Sequence, residues 1–382
     1  MAFEIRLTYI LLRLFLLISM GLIGYYISKK KKWSWKYTII PTVIFGLIEG
    51  LRYMRGTDYP TYFERYITIN SLDPWSYEED PLFVIFCQFL LDLNIPFQGF
   101  IILCSVILIF SSFFLLKEQK HLMLFSLPLI TILGMTDAEN LIRWYLAFSF
   151  FLIGIYYLIK NKWIYFFIFS LIACGFHLGL IIVVPIFFLI YNLKNKVLIK
   201  PLYACLIFII LWQTFRPEFM LIFVDLFANF AGLGRYTAYI NNIDIWLTGD
   251  NKDLLLEVTK TDIYRFLFLI YYGYKVADKQ KSPYTYFYNL FLIGAITYPA
   301  LRIIELPFRY NLLFIFFEAF VAAAVLKEYL ILRQKKDIHT LFSLAYFYPV
   351  LARIFKYAIN FDITELLFIW HMDIFRTVNP FK

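Results

Sequence analysis

The chain has 382 residues, of which 62% are apolar and only 16% are charged. Water-soluble domains do not use hydrophobic residues in this way, so the composition excludes a soluble protein and predicts an integral membrane protein. The net charge of +9 does not indicate nucleic-acid binding, because most lysines fall in short loops of the kind that face the cytoplasm.

The first apolar run, residues 7–28, is too long for the core of a signal peptide and lacks a small-residue cleavage site, so it predicts a retained helix. Lysine-rich loops follow along the chain at 29–32, 117–120, 160–162, 194–200, 275–281 and 333–336. If all six are cytoplasmic, the N-terminus lies outside and successive basic loops are separated by even numbers of crossings. The further predicted helices are 37–53, 99–116, 122–136, 141–159, 197–215, 263–275, 284–301, 308–327 and 340–358.

Two segments need separate explanations. The apolar run 164–191 lies between two lysine loops, which predicts a hairpin of two short helices with its tip at the glycines of residues 175–179. Residues 82–94 are too short to span and predict a re-entrant or interfacial segment.

The fold class is therefore predicted as all-α, a polytopic transmembrane bundle of about 11 to 12 membrane helices plus the short segment. A single membrane domain covers residues 1–382, with long external loops at 54–81 and 216–262.

Arginines lie at or near the helix ends on the predicted outer face. The five are Arg52, Arg55, Arg143, Arg302 and Arg309. Lysine and arginine normally collect in cytoplasmic loops, so arginine on the opposite side indicates an anionic partner. A guanidinium binds phosphate oxygens in pairs, which makes a phosphate-bearing ligand the candidate.

Arg52 and Arg55 are three residues apart, so a continuing helix would place them on one face. Gly56 would then end the helix and leave Asp58 just beyond it. This arrangement predicts a pyrophosphate site with a nearby base, and the alternative is a pair of interfacial arginines bound to Glu49 and Asp58.

Arg143 lies about one turn inside an apolar helix, where a charge is costly without a partner. The N-terminus of a helix attracts anions, and the alternative is a structural pair with Asp137 or Glu139. His177 lies at the predicted hairpin tip, either as a packed residue or as a group that transfers protons.

Arg302 and Arg309 lie three residues before and four after Glu305, so helical salt bridges would explain one of them, although Pro307 favours a break. The sequence has no Asp-x-Asp, P-loop, His-Glu-x-x-His or Gly-x-Ser-x-Gly motif, and it predicts no metal and no cofactor.

Several motifs resemble a known family when they are taken in order. They are Arg55-Gly56-Thr57-Asp58-Tyr59 with Tyr62, Asp80-Pro81-Leu82-Phe83, Asn140-x-x-Arg143, Phe176-His177, Arg309-Tyr310 and the terminal Asn379-Pro380-Phe381-Lys382. The ordered set resembles the EpsG family, which is grouped with the Wzy-type polymerases of bacterial surface polysaccharides. The chain departs from the family at Trp144, where Gln is expected, and at Gly179, where Ser or Ala is usual.

The resemblance implies a glycosyltransferase, similar to the integral-membrane enzymes that use polyprenyl-phosphate-linked donors. It would polymerise lipid-linked oligosaccharide repeat units on the outer face of the bacterial cytoplasmic membrane, using polyprenyl pyrophosphate as the leaving group. A chain-length regulator and a flippase are expected partners, besides the lipid bilayer.

The predicted roles divide the candidate residues into three groups. Arg52, Arg55, Arg143 and Arg309 would hold pyrophosphate; Asp58 or His177 would accept the proton; and Tyr59 and Tyr62 would contact sugar, with Arg302 and Tyr310 completing the substrate-binding set. Two alternatives remain: a transferase that moves one sugar from polyprenyl phosphate, and a flippase or exporter. The gathering of charges on one side and the absence of an internal repeat in the sequence favour the polymerase over the exporter.

Overall fold

The structure is a computed structural model that describes residues 2–56, 58–76, 79–214, 259–279, 282–302, 305–332, 337–360 and 362–371. The chain divides into two compact units, residues 1–192 with 322–382 and residues 193–321. The predicted single membrane domain stays a prediction. The basic loop 333–336, the terminal motif 379–382 and most of the predicted external loop 216–262 lie outside the described residues.

The fold is all-α, as predicted, and the described residues contain no β-strand beyond one isolated bridge. The helices of the first unit are α1 Ala2–Ser28, α2 Ile39–Gly50, α3 Tyr59–Ile67, α4 Pro81–Asp92, α5 Phe97–Leu116, α6 Met123–Leu129, α7 Ile142–Ile159, α8 Trp163–Phe176 and α9 Val183–Asn192. Those of the second unit are α10 Pro201–Thr214, α11 Lys260–Ala277, α12 Tyr284–Leu301 and α13 Glu305–Ile315. α14 Glu318–Leu326 crosses the boundary, and α15 Ile338–Ala345 and α16 Phe347–Asn360 return to the first unit.

The described helices are those of a multi-pass membrane protein. Four stretches are long and apolar enough to cross a bilayer: Ala2–Ser28, Phe97–Gly134, Ile142–Ile159 and Ile338–Asn360. Shorter apolar helices accompany them, including α4, α8 and α10. α4 has 12 residues and is about 18 Å long, well short of a hydrocarbon core of about 30 Å. The total number of crossings and the re-entrant path of residues 82–94 stay predictions.

The predicted hairpin at 164–191 is confirmed. α8 ends at Phe176, His177 is extended with φ −158° and ψ 108°, and a 3₁₀ turn over Leu178–Ile182 leads into α9. Phe166 near the start of α8 stacks with Phe188 near the end of α9, with ring centroids 6.0 Å apart, so the two helices run in opposite directions. The break places His177 at the tip of the hairpin.

The first unit has two chemically different ends, separated by the length of its helices. At one end the Lys120 ammonium donates to the carbonyl of Lys30 over 2.8 Å, and Lys160 pairs with Glu118 over 2.5 Å. The other end holds the C-terminal end of α2 and the N-terminal end of α7, where the predicted arginines lie. In this unit the loops that contain Lys30, Lys120 and Lys160 therefore lie at the end opposite Arg52, Arg55 and Arg143. The assignment of these ends to the two sides of the membrane stays a prediction.

The core of the second unit is formed around α12. Gly294 on α12 lies so close to α13 that a Cβ there would be 2.8 Å from the Cβ of Phe314. The amide of Asn311 donates to the Gly294 carbonyl over 2.8 Å and to Thr297 Oγ1 over 2.9 Å. The bounds of α12 agree with the predicted 284–301.

Candidate active site

The chain does not continue as a helix through Arg52 and Arg55, contrary to the prediction. α2 ends at Gly50, and the guanidinium of Arg52 donates to the Glu49 carbonyl over 2.8 Å at the end of that helix. Met54 then adopts φ 52° and Gly56 φ 95°. Gly56 is needed here, because a Cβ would lie 2.8 Å from the carbonyl oxygen of Glu139.

Both arginines instead enter a buried charge cluster, defined as Arg13, Glu49, Arg52, Arg55 and Glu139. Arg13 forms ion pairs with both glutamates. Arg55 Nη1 lies 3.4 Å from Glu139 Oε1, and the Nη2 of Arg52 donates to the Glu139 carbonyl over 3.5 Å. All five side chains are buried, so the two glutamates offset two of the three positive charges within the protein, and backbone carbonyls accept from Arg52 and Arg55.

Residues 363–371, here called the C-terminal strap, cover Arg55. The backbone N–H of Tyr53 donates to the Leu367 carbonyl and that of Ile369 donates to the Leu51 carbonyl, each over 3.0 Å. The guanidinium carbon of Arg55 lies 4.4 Å from the ring centroid of Phe368. Arg55 is 0% exposed as a result. Burial and repulsion by Arg13 lower the pKa of Arg55 to about 10, so it remains charged at neutral pH.

A small cavity adjoins the buried charge cluster. It is lined by Glu49, Arg52, Glu139, Tyr145 and apolar side chains, and its volume of about 20 Å³ fits about one water molecule. Arg52 and Arg55 are both buried against protein partners and stabilise the loop that follows α2. Their expected role in binding pyrophosphate stays a prediction.

Arg143 is different, because its side chain is 26% exposed. Its Nη1 lies 3.1 Å from Oδ2 of Asp80, whose side chain is 1% exposed. The predicted structural partners of Arg143 were wrong: Asp137 binds Arg353 over 3.1 Å, and Glu139 belongs to the buried charge cluster. Arg143 thus keeps part of its guanidinium at the surface while a buried carboxylate holds it.

His177 is connected to the same carboxylate through its neighbour. The N–H of Leu178 donates to Asp80 Oδ1 over 3.0 Å. The N–H of Gly179 donates to His177 Nδ1 over 3.1 Å, and the ring of Trp144 contacts the imidazole edge-on at 4.7 Å. A neutral imidazole whose Nδ1 accepts a hydrogen bond carries its proton on Nε2.

Asp58 and Tyr62 lie beside the N-terminal end of α7. The N–H of Asp58 donates to Asn140 Oδ1 over 2.9 Å, and the N–H of Arg143 donates to the Tyr62 hydroxyl over 3.4 Å. The structure therefore brings Asp58, Tyr62, Arg143 and His177 to one end of the first unit. Of these four residues, which we call the surface cluster, His177 is buried at 7% exposed, whereas Asp58, Tyr62 and Arg143 are partly exposed.

Tyr59 does not share this exposure. It is 3% exposed, its hydroxyl donates to Gln98 Oε1 over 3.2 Å, and its ring packs edge-on against Phe97. Burial raises the pKa of Tyr59 to about 12. The Tyr59 ring is packed among protein side chains, and its expected contact with sugar stays a prediction.

The remaining predicted residues belong to the second unit. Arg302 Nη1 lies 3.0 Å from Asp262 Oδ2, a pairing across helices. The predicted pairing with Glu305 falls on a side chain outside the described residues and stays a prediction. Arg265 links Asp262 to the buried Glu318, with Nε 3.0 Å from Glu318 Oε1. Arg309 and Tyr310 lie on α13 and are partly exposed. Pro307 lies in the first turn of α13 and does not break it.

Comparison with known proteins agrees with this architecture at the level of the family. The EpsG family model matches residues 35–368, nearly the whole chain. The chain belongs to the EpsG family. No curated protein and no solved structure matches it. EpsG proteins are Wzy-type polymerase-like, so membership indicates a general role in polysaccharide polymerisation and a glycosyltransferase-like activity.

The EpsG match includes the whole surface cluster and the arginines of the second unit, whereas Arg13 lies before it. Sequence reasoning missed Arg13 and the side-chain role of Asp80. A signal for Arg13 was present, because an arginine inside the apolar run 7–28 is costly without a partner. Asp80 offered a weaker signal, since an aspartate before a proline is an ordinary start of a helix.

Proposed function

We propose that this EpsG protein polymerises oligosaccharide repeat units carried on polyprenyl pyrophosphate, by glycosyl transfer at the outer face of the bacterial cytoplasmic membrane. The donor is the growing glycan on its lipid pyrophosphate, and the acceptor is the next lipid-linked unit. Family membership supports the polymerase class. The opposed lysine and arginine ends of the first unit support an outward-facing site.

The observation that carries the proposal is the partial exposure of Arg143. Among the described residues, the Nε of Arg143 has no hydrogen-bond partner, and its side chain is 26% exposed beside His177. A guanidinium with spare donors, fixed by a buried carboxylate, can bind the oxygens of a departing pyrophosphate.

The reaction forms one bond and breaks another. The acceptor hydroxyl oxygen attacks the anomeric carbon of the donor, and the bond from that carbon to the pyrophosphate oxygen breaks with its electron pair. Charge develops on the pyrophosphate as it leaves, so Arg143 binds the transition state more tightly than the ground state. The proton of the hydroxyl passes to a base.

The geometry around His177 favours Asp58 as that base. His177 accepts a hydrogen bond on Nδ1 and carries its proton on Nε2, so in this tautomer it donates rather than accepts. Asp58 is partly exposed at the start of α3, and Asn140 fixes its backbone. A carboxylate at this position can accept a proton from a hydroxyl that lies within hydrogen-bond distance.

The test is genetic and chemical. The gene is deleted in its bacterium and replaced by the wild type, Arg143→Gln or Arg353→Gln, and lipid-linked glycans are measured by mass spectrometry. Deletion and Arg143→Gln should accumulate single repeat units and lose the ladder of polymer, by about 100- to 1,000-fold for Arg143→Gln. Arg353 is a matched control, because it is also a partly exposed, ion-paired arginine of the first unit.

Two outcomes would overturn the proposal. Normal polymer in the deletion strain would exclude the polymerase, and a lipid-linked glycan shortened by one sugar would identify a single-sugar transferase instead. Equal loss of polymer in Arg353→Gln and Arg143→Gln would contradict the specific role of Arg143.

A further inference from the structure

We infer that Asp80 is a positioning residue for glycosyl transfer, which orients Arg143 and the backbone beside His177 toward the departing pyrophosphate. The inference rests on the proposed function and extends it to a residue outside the surface cluster. It follows from the two contacts of the Asp80 carboxylate, from its burial, and from the way these contacts join α4, α7 and the α8–α9 hairpin.

The Asp80 carboxylate does not serve its own helix. Asp80 is the N-cap of α4 and Pro81 is the first helical residue, an arrangement in which an aspartate usually accepts from the backbone N–H groups of the first turn. No such side-chain hydrogen bond is formed in this part of the structure. Only the Asp80 carbonyl accepts from the first turn, with the N–H of Phe83 at 3.0 Å.

Both carboxylate oxygens instead reach other elements. Oδ2 pairs with Arg143 at the start of α7, over 3.1 Å, and Oδ1 accepts from the N–H of Leu178 after the break in the α8–α9 hairpin, over 3.0 Å. One side chain therefore fixes the guanidinium on one helix and the backbone next to His177 on another. A shift of Asp80 moves both groups of the surface cluster together.

Burial separates this role from contact with substrate. Asp80 is 1% exposed, so a lipid pyrophosphate reaches Arg143 without touching the carboxylate. The ion pair with Asp80 engages Nη1 and holds that end of the guanidinium against the protein, which leaves Nε and Nη2 for a ligand. Asp80 acts on the reaction through Arg143.

The neighbouring Glu79 provides a matched control. It also forms an ion pair with an arginine, Arg65 on α3, but both partners are partly exposed and neither belongs to the surface cluster. Removing the charge of Glu79 deletes one ion pair from the same stretch of chain. The Glu79 variant therefore measures the effect of losing an ion pair alone, and the Asp80 variant measures the effect of losing the orientation of Arg143.

The test uses purified full-length protein in lipid vesicles and lipid-linked repeat units extracted from the deletion strain. Asp80→Asn should lower the rate of polymerisation per folded molecule by about 10- to 100-fold, the cost of a misplaced group, whereas Glu79→Gln should stay within about twofold of the wild type. Asp80→Glu keeps the negative charge, so its rate of polymerisation should lie between those of the wild type and Asp80→Asn.

A double-mutant cycle distinguishes positioning from a merely structural role. An asparagine amide oxygen can still accept from the Leu178 N–H, so Asp80→Asn removes mainly the ion pair with Arg143. The double variant Asp80→Asn/Arg143→Gln should therefore polymerise no more slowly than Arg143→Gln alone. If the rate losses of the two single variants multiply in the double variant, the two residues act independently and the inference is overturned. Full activity of Asp80→Asn would overturn it as well. If Asp80→Asn gives too little folded protein, the same cycle with Asp80→Glu tests whether Asp80 acts through Arg143.

The results also separate this inference from the proposed function. If Arg143→Gln is inactive and Asp80→Asn is fully active, only the positioning role of Asp80 fails. If both variants and the deletion strain make normal polymer, the proposed function fails.

Discussion

The first unit contains two groups of arginines whose environments differ sharply. Arg13, Arg52 and Arg55 are 3% exposed or less, bound to glutamates, backbone carbonyls and aromatic rings. Arg143 is held by one buried carboxylate and is 26% exposed. The first group is bound entirely by protein partners, whereas Arg143 keeps part of its guanidinium at the surface besides its pairing with Asp80.

The comparison changes what each arginine is expected to do. A buried, ion-paired arginine whose partner stays behind after mutation costs stability, because an uncompensated charge remains in the interior. An exposed one costs little stability and can bind a ligand. The four predictions below test that division, from the largest effect to the smallest.

The largest effect on folding is expected from Arg55→Met. It removes a buried cation from Glu139 and from the Leu367 carbonyl, and we expect a loss of about 3–5 kcal/mol in the free energy of unfolding. Thermal unfolding of the purified protein and its level in membranes measure this. The protein that remains folded should polymerise at nearly the wild-type rate, and a stable but inactive Arg55→Met would place Arg55 in contact with substrate.

The C-terminal strap offers a comparison between two stacked rings. Phe368 is 1% exposed and Trp370 is 54% exposed, with centroids 4.7 Å apart. Phe368→Ala should cost about 3 kcal/mol, since it leaves a cavity above Arg55, whereas Trp370→Ala should change the unfolding free energy by about 0.5 kcal/mol or less. Equal losses in calorimetry would show that the strap does not stabilise Arg55 in solution.

The two tyrosines of α3 divide in the same way. Tyr59→Phe should lower the unfolding free energy by about 1 kcal/mol through loss of the hydrogen bond to Gln98, with no change in rate per molecule. Tyr62→Phe should cost less stability, because the bond that its hydroxyl accepts from the Arg143 N–H is long at 3.4 Å, and it should slow polymerisation by about fivefold, which is about 1 kcal/mol in the barrier. The reverse pattern in paired stability and rate measurements would contradict the division.

The smallest effect concerns pH and the C-terminal strap. Burial and the positive charge of Arg55 lower the pKa of His371 below its ordinary 6.5, so His371 is neutral at pH 7.5. A base with a lowered pKa in the folded state contributes stability that is complete above 6.5 and is lost as the pH falls toward the folded value.

The wild type should therefore lose more in melting temperature between pH 7.5 and pH 5 than His371→Asn. The asparagine can still accept from the N–H of Phe368, as His371 Nδ1 does over 3.2 Å, but it does not titrate. Identical pH dependence of the two proteins would show that His371 does not couple the strap to pH.

The sequence predicted local features better than distant contacts. α12 and the break at His177 followed from apolar runs, lysine loops and glycines, all of which act over a few residues. The helix through Arg52 and Arg55 was wrong because the chain instead pairs with Leu367 and Ile369, and tertiary contact overrides local preference. The pattern of apolar residues in a sequence does not show backbone pairing between segments that are far apart in the chain.

The partners of the arginines were also beyond the sequence. Arg143 had acidic residues at helical spacing on its own segment, and the structure gives it Asp80 from another helix. Glu139, one of those candidates, serves Arg13 and Arg55. Spacing rules find partners within an element, and only the packing of elements shows which of several carboxylates is nearest.

The pairing of the strap with the segment after α2 sets an order for assembly during synthesis. Arg55 and Leu367 are separated by 312 residues, so ribosomes adding roughly 5–20 residues per second deliver the cover roughly 15–60 s after the arginine. Over that interval Arg55 has no strap above it, and a chain that stops early never acquires one. A chain that ends before the strap therefore leaves the Arg55 cation without the carbonyl of Leu367 and the ring of Phe368.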